Sequence, residues 1–393
     1  MAQLRPKLPK LTFWRLVLAI ILIAGAYATI LRFTRGLGGA TNLSDAFPWG
    51  LWIGFDVMCG VMMAAGGFTL TAAVYIFHLE EFRPIVRPSI LTAFLGYLLV
   101  IVALLFDLGR GYNIWHPLVM WNPHSVMFEV GWCVTLYTTV LALEFAPVVF
   151  ERLRLEGLLR IQRAISIPLV ITGVLLSTLH QSSLGSLYLI VPNKLHPLWY
   201  SPLLPVFFFV SAICVGLAMT IFESCMSSRA LGRQLELPLL IGLGRTLLVA
   251  LTVYSALRFE DLLHRGVLHL LKHPGYETDL FYLEVALGLF LPIVLLMIPR
   301  IRESADGLYL CAVLVVFGFV TNRLNVSITG MEASAGLRYN PRWTEIAVTA
   351  SIVAVAFVVF ALASKYLSIF PAPESTLPPP RSETVIELGH APV

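Results

Sequence analysis

Ten apolar runs, separated by shorter polar stretches, divide this chain: roughly 12–31, 50–77, 88–108, 124–150, 163–181, 203–226, 238–259, 280–298, 307–323 and 343–366. A helix needs about 20 apolar residues to cross ~30 Å of hydrocarbon. In lipid the backbone must satisfy its own N–H and C=O groups, so each run predicts a helix. The 307–323 run is the shortest of them. Arg5, Lys7, Lys10 and Arg15 precede or open the first run, as in a secretory signal. No small-residue cleavage site leading into soluble sequence follows, so that run reads as a retained signal anchor after a cytoplasmic segment, 1–11. Residues 12–366 then form the membrane domain. The segment 367–393, with Pro371, Pro373 and Pro378-Pro-Pro-Arg381, reads as a disordered cytoplasmic tail.

Composition agrees: 58% hydrophobic, 13% charged and a mean hydropathy of +0.83 exclude an ordinary soluble protein. No connecting segment is long enough to fold alone, so chemistry requiring a large cofactor belongs to another subunit. With the N-terminus inside, sixteen Lys and Arg fall on inner segments and ten on outer ones, with Arg245 inside a helix. That bias places both termini in the cytoplasm. The net charge of +4 therefore reflects orientation, and no nucleic-acid patch is evident.

Candidate chemistry begins with what is excluded. The five cysteines, at 59, 133, 214, 225 and 311, stand singly without a CxxC, which argues against an iron–sulfur cluster or structural zinc. His264, His269 and His273 lie in an outer loop at spacings that match no strong metal-ligand pattern, so no metal site is assigned. Asp306-Gly307 and Gly36-Leu-Gly38-Gly39 read as loop punctuation, not phosphate cradles. The nine histidines fall in loops, the tail or helix ends, whereas a haem needs axial ligands facing each other at membrane depth, so no haem is expected. The outer loops are rich in Pro and aromatic residues: Phe47-Pro-Trp-Gly50, Asn113-Ile-Trp-His-Pro117, Trp121-Asn-Pro-His124, His196-Pro-Leu-Trp-Tyr200 and Tyr339-Asn-Pro-Arg-Trp343. An aromatic belt decorates both faces of a membrane protein, so this one-sided excess suits docking of a protein partner.

Ionisable groups inside hydrocarbon cost ~2.5–3.5 kcal/mol each even on the lenient insertion scale, so each calls for a reason. Toward the outer face lie Asp56, Asp107, Arg110, Glu129, His180, Glu284 and Arg323; toward the inner face lie Glu144, Glu223 and Arg245. The outer set comes from several helices at similar depth, as a polar pocket between helices requires. A histidine donor beside a carboxylate suits a quinone headgroup, which accepts hydrogen bonds at two carbonyls and takes up two protons on reduction. His180 and Glu129, with Asp56 behind them, are the leading candidates. Asp107, Arg110, Gln181, Ser182, Glu284 and Arg323 form the expected supporting network. Glu129 and Glu144 stand about 22 Å apart along one helix, broadly on one face. Glu144 and Glu223 either begin a proton path or pair structurally, for example Glu144 with Arg152 or Arg245.

Several motifs occur in order: Phe47-Pro-Trp-Gly-Leu-Trp-Ile-Gly-Phe-Asp56, Val86-Arg-Pro88, Asp107-Leu-Gly-Arg110, Ala142-Leu-Glu-Phe-Ala-Pro147, His180-Gln-Ser-Ser-Leu-Gly-Ser186, His196-Pro-Leu-Trp199 and Asn322-Arg-Leu-Asn-Val-Ser327. From about residue 45 to 366 the chain resembles the NrfD/polysulfide-reductase membrane-subunit family. Its ten-helix form resembles the HybB-like branch, membrane subunits of uptake nickel–iron hydrogenases. The resemblance implies an all-α integral membrane protein with no soluble domain. Two antiparallel four-helix bundles (about 50–181 and 203–323) would be flanked by helices 12–31 and 343–366. It also implies a haem-free subunit that reacts with quinone, and a ferredoxin-like partner with several iron–sulfur clusters. By motif position, Asp56, Glu129, Glu144 and His180 match polar residues implicated in quinone or proton handling. Shorter polysulfide-reductase members use other polar residues near the start of the helix equivalent to 50–77, so their quinone pose does not transfer to Asp56.

Together these features predict the quinone-reactive anchor, in a prokaryotic cell membrane, of an oxidoreductase complex facing the periplasm. Menaquinone is the expected quinone and hydrogenase the favoured catalytic partner. The alternative partners are a sulfite-reductase-linked complex or another sulfur or molybdenum enzyme. A proton-coupled transporter is the reading from a different class. It would suit membrane carboxylates, but Gly/Pro-broken half-helices at matching depths are not evident.

Overall fold

The computed structural model describes residues 12–370, so the 1–11 segment and the tail from 371 onward lie outside the described residues. Among the described residues ten helices are long and apolar enough to span a membrane. They are α1 (Phe13–Ala40), α2 (Trp52–Ile76), α3 (Glu80–Asp107), α4 (Val126–Leu153), α5 (Glu156–Ile190), α6 (Leu204–Leu231), α7 (Leu237–His264), α8 (Tyr276–Met297), α9 (Ala305–Ala335) and α10 (Trp343–Tyr366). The protein is an all-α integral membrane protein, as its hydropathy requires. Large apolar side chains such as Trp14, Ile23, Val249, Phe317 and Phe357 are exposed on the outer faces of these helices, where lipid replaces water as solvent.

Two helix ends differ from the hydropathy reading. The run at 307–323 belongs to a helix that reaches Ala335, because its second half carries Asn325, Ser327, Thr329 and Glu332, polar residues that turn inward and are buried. Asp306 and Gly307 are not loop punctuation but the first turn of that helix, capped by the Ser304 hydroxyl, which accepts the Gly307 N–H at 3.1 Å. Gly36-Leu-Gly38-Gly39 likewise lies within α1, past a kink at Gly36 (φ 74°), a conformation that glycine adopts at no steric cost. At the other end of the chain, residues 367–370 are packed rather than loose. Ile369 is fully buried, and Arg233 lies over the Phe370 ring at 4.0 Å.

Helices α2 to α5 pack in a ring, each on the next and α5 back on α2, and α6 to α9 form a second ring in the same way. The seam between the rings is made by α2 with α6 and α9 and by α5 with α6; α1 and α10 pair outside, with α10 against α3 and the start of α2. Glycines permit the tightest approaches, as is usual where helices associate without a hydrophobic drive from water. A Cβ on Gly216 would sit 2.8 Å from the Ala65 backbone across the seam, and one on Gly318 would sit 2.1 Å from the Gly288 backbone within the second ring.

Four stretches widen into π-helical turns: Trp52–Cys59 and Ala72–Ile76 in α2, Ala286–Phe290 in α8 and Asn325–Thr329 in α9. Such turns are rare and insert a residue that re-aims its neighbours. The connections alternate between faces. The long ones (41–51, 108–125, 191–203, 265–275, 336–342) share one face, here the long-connection face; the short ones share the other.

Candidate functional site

The sequence places the outer ionisable groups at one depth; the structure separates them by azimuth into three clusters. The first surrounds Asp56, which the π-helical start of α2 presents toward α10. Its Oδ2 accepts the Thr349 hydroxyl of α10 at 2.7 Å, and the side chain is buried. Near it α3 ends at Asp107, whose Oδ1 is buried without a partner among the described residues. Buried Arg32 of α1 donates to the Phe106 and Leu108 carbonyls at 2.6 and 2.8 Å. It thereby satisfies backbone acceptors left over at a helix C-terminus. The buried Glu345 completes this corner by accepting from the Asn42 and Arg342 backbone N–H groups at 3.0 and 2.8 Å and from the Tyr339 hydroxyl.

Asp56 also lines a groove of about 320 Å³ between α10 and the facing sides of α2, α3 and α6. That volume lies at the lower end of the ~300–1,000 Å³ usual for small-molecule sites. Its walls are almost wholly apolar, with Phe55, Leu95, Leu99, Phe222, Phe357 and Phe360 prominent. Toward the short-connection face the groove reaches Glu223, whose Oε2 accepts the Thr92 hydroxyl at 2.8 Å and whose Oε1 is buried without a partner among the described residues. Glu223 also lines a smaller pocket of about 50 Å³, of mixed polar and apolar lining, with Ser227, Arg233, Glu236, Leu235 and Leu240.

The second cluster lies inside the first ring. His180 is not at a helix end; it is fully buried within α5, and its Nδ1 meets the Tyr97 hydroxyl of α3 at 3.0 Å. Tyr97 packs edge-on against Tyr137 of α4, with ring centroids 4.7 Å apart. His180 Nε2 is buried without a partner among the described residues, and the Ser177 hydroxyl lies against the Tyr97 and Tyr137 phenols. Glu129, exposed near the start of α4 at the edge of this ring, accepts the Ser183 hydroxyl at 2.5 Å. Gln181 turns away and donates to the Val61 carbonyl at 3.1 Å. Glu144 lies on the same side of α4 as Tyr137, 7 residues or about 10 Å further along the axis. Its Oε1 is buried and unpartnered, and no ion pair to Arg152 or Arg245 forms among the described residues. The nearby arginine pairing is instead Arg87 with Glu151, at 2.8 Å.

The third cluster belongs to the second ring. Glu284 accepts from Trp199 Nε1 at 3.0 Å, Asn325 Nδ2 at 2.7 Å and Asn322 Nδ2 at 3.2 Å, a set that satisfies both carboxylate oxygens. Arg323 lies over the Phe208 ring at 3.5 Å and donates to the Ser211 hydroxyl at 2.8 Å. Arg258 donates to the Leu198 carbonyl at 2.7 Å, and Asp261 pairs with Arg265 at 2.7 Å. Glu284 and Arg323 therefore do not support His180.

The single outer pocket expected from depth is thus corrected to separate sites. Arg110 is exposed and joins none of them, and Ser182 is half-buried while its neighbour Ser183 makes the contact to Glu129. Thr349, Tyr97, Tyr137, Thr92 and Ser183 escape a search for charged groups, because a hydroxyl or phenol on an apolar helix carries no signal apart from its neighbours. Outside the spans, burial in the 191–203 connection lowers the His196 imidazole from its usual range, and Glu277 opposes this. His196 Nδ1 correspondingly accepts the Leu198 N–H at 3.3 Å. Among the described residues no group of three or more His, Cys, Asp or Glu is placed to hold a metal ion.

Comparison with known proteins matches residues 39–335 to the family described as polysulphide reductase, NrfD. A Nitratidesulfovibrio vulgaris protein is 40% identical over 356 residues, 88% of this chain and 91% of the relative. The "Probable Ni/Fe-hydrogenase 2 b-type cytochrome subunit" of Escherichia coli is 35% identical over 345 residues, 86% of this chain and 88% of that one. The "Menaquinone reductase, integral membrane subunit" of Nitratidesulfovibrio vulgaris is 28% identical over 400 residues, 93% and 94% of the two chains.

Proposed function

This chain belongs to the polysulphide reductase NrfD family, and on that premise we propose that it is the quinone-reactive membrane subunit of a respiratory oxidoreductase complex. The observation that carries the reading is the groove beside α10. It offers apolar walls for an isoprenoid tail and, at the long-connection end, a buried carboxylate held by a hydroxyl for a headgroup that exchanges protons. Asp56 is the group in direct reach of a ligand there. His180 and Glu129 sit across α3 from the groove and serve the same chemistry as proton-handling groups behind it. Tyr97 bridges the two sides, since Gly96 lines the groove while Tyr97 bonds His180.

Electrons enter from a periplasmic ferredoxin-like subunit with several iron–sulfur clusters, docked on the Pro- and Trp-rich long-connection face. Menaquinone is the proposed acceptor, supported by the name of the 28%-identical relative. A nickel–iron hydrogenase is the proposed catalytic partner, supported by the name of the 35%-identical relative. Glu144 and Glu223 are the proposed proton path. Glu223 suits the role because it lines both the groove and the small pocket at the short-connection face that contains Ser227, Arg233 and Glu236. Both termini lie in the cytoplasm in this reading. No haem is assigned to the chain, because a bis-histidine site needs two facing imidazoles and His180 alone lies well inside a described span.

The test is purification from native membranes in mild detergent, with mass spectrometry of what stays bound and turnover with a short-tailed naphthoquinone. A hydrogenase large subunit with a cluster-rich partner, and loss of quinone turnover in Asp56→Asn, Glu129→Gln and His180→Ala complexes that still assemble, are the expected results. A sulfite-reductase-linked or molybdenum-enzyme partner would replace hydrogenase and keep the quinone site. A chain that purifies alone, with quinone turnover untouched by all three variants, would sink the proposal in favour of transport.

A further inference from the structure

The groove has two polar ends, and in the reading above only one of them seats a head group. At the long-connection end Thr349 satisfies one oxygen of Asp56. At the short-connection end two buried polar atoms, Glu223 Oε1 on α6 and Ser364 Oγ on α10, have no hydrogen-bond partner among the described residues, and both residues line the groove. Buried polar atoms in native structures are paired in the great majority of cases, and each exception calls for an explanation. Here the orphans belong to residues that line one groove from two different helices, with Thr92 holding the other carboxylate oxygen of Glu223 at 2.8 Å.

Spacing shows that this is a separate position. Thr349 and Ser364 are 15 residues apart on α10, about 22 Å along the axis. A ring seated against Asp56 therefore does not reach Ser364, and a ligand seated against Ser364 sends its tail back along the same apolar walls. The donor set selects the ligand. A carboxylate oxygen accepts and a serine hydroxyl both accepts and donates, so the pair suits a head that supplies O–H groups. The reduced form of a quinone supplies two such hydroxyl donors.

We propose that the short-connection end of the groove is a second head-group subsite, which takes the quinol form of an isoprenoid quinone through Glu223 Oε1 and Ser364 Oγ. The proposal rests on the quinone reading above and adds to it a second seat, at the opposite face from the first. One groove then holds one head at Asp56 and a second at Glu223.

The experiment is a fluorescence-quenching titration of the purified, delipidated native complex with the quinol analogue heptyl-hydroxyquinoline N-oxide. Two sites per chain are expected, one of them abolished by Ser364→Phe, which fills that end, and the other weakened by Asp56→Asn. Ser364→Ala removes only the hydroxyl and weakens its site roughly two- to tenfold, the value of one hydrogen bond. If the Phe variant fails to assemble, the Ala variant decides, and unchanged affinity at both sites overturns the proposal. A single site sensitive to Asp56→Asn and indifferent to Ser364 overturns the second seat while leaving the quinone reading intact. No binding at all overturns both. Competition at the Ser364-dependent site by phosphatidylglycerol and not by menaquinol assigns that end to a lipid headgroup and also overturns the proposal.

Discussion

Replacing Thr349 by Val keeps the shape of the side chain and deletes the hydroxyl that holds Asp56. The bond is 2.7 Å long and joins a half-buried hydroxyl to a buried carboxylate. A hydrogen bond to a charged partner contributes about 1.5–3 kcal/mol. At ~1.4 kcal/mol per decade, Thr349→Val should lower kcat/KM for naphthoquinone reduction about ten- to a hundredfold. Asp56→Asn, which removes the proton-exchanging group, should cost about 10²–10⁴-fold, the usual range for a positioned acid or base. Thr349 acts only through Asp56, so the double variant should match Asp56→Asn alone within a factor of about two. The assay compares quinone turnover with reduction of a viologen dye at the catalytic partner, which should be unchanged in all three complexes. Additive losses in the double variant would refute the coupling, and wild-type quinone turnover in Thr349→Val would refute the placement of the headgroup.

Three further outcomes are expected. Gly318→Val should block packing of α9 on α8, since even a bare Cβ would lie 2.1 Å from the Gly288 backbone; a folded variant of wild-type thermal stability, measured by scanning calorimetry of the purified complex, would contradict that packing. Burial lowers the His196 imidazole from its usual range, so near and below an unfolded pKa of about 6.5 the unfolded chain binds that proton more readily than the folded chain. Stability should therefore fall as pH drops from about 7 to 5, and His196→Gln should flatten that fall in a melting-temperature series. The purified chain, separated from its partners, should lack a Soret band, and a stoichiometric haem signal would overturn the haem-free reading.

The polar clusters show where reading along the chain stops. Asp56, Glu129, His180, Glu284 and Arg323 stand out in the sequence because charge inside an apolar run is costly, and their depth follows from their distance to a helix end. Depth alone suggests one pocket. The structure instead turns Asp56 toward α10, His180 into the first ring with Glu129 exposed at its edge, and Glu284 and Arg323 into the second. A π-helical turn shifts Asp56 in azimuth, and nothing in the spacing of its neighbours announces that turn. The partners Thr349 and Tyr97 are 293 and 83 residues away in sequence from the groups they bond, so no local pattern connects them.

Hydropathy by itself determined that this chain spans a membrane as helices, how many there are, and which residues must justify their charge. That follows because bilayer thickness and the unsatisfied backbone act on each segment alone. Only the tertiary structure decided which helices face each other, that the outer polar groups divide among three places, and that a groove with a carboxylate toward each end runs beside α10. Those features depend on which small residues let two backbones touch, as at Gly216 and Gly318, and on contacts between helices far apart in the chain.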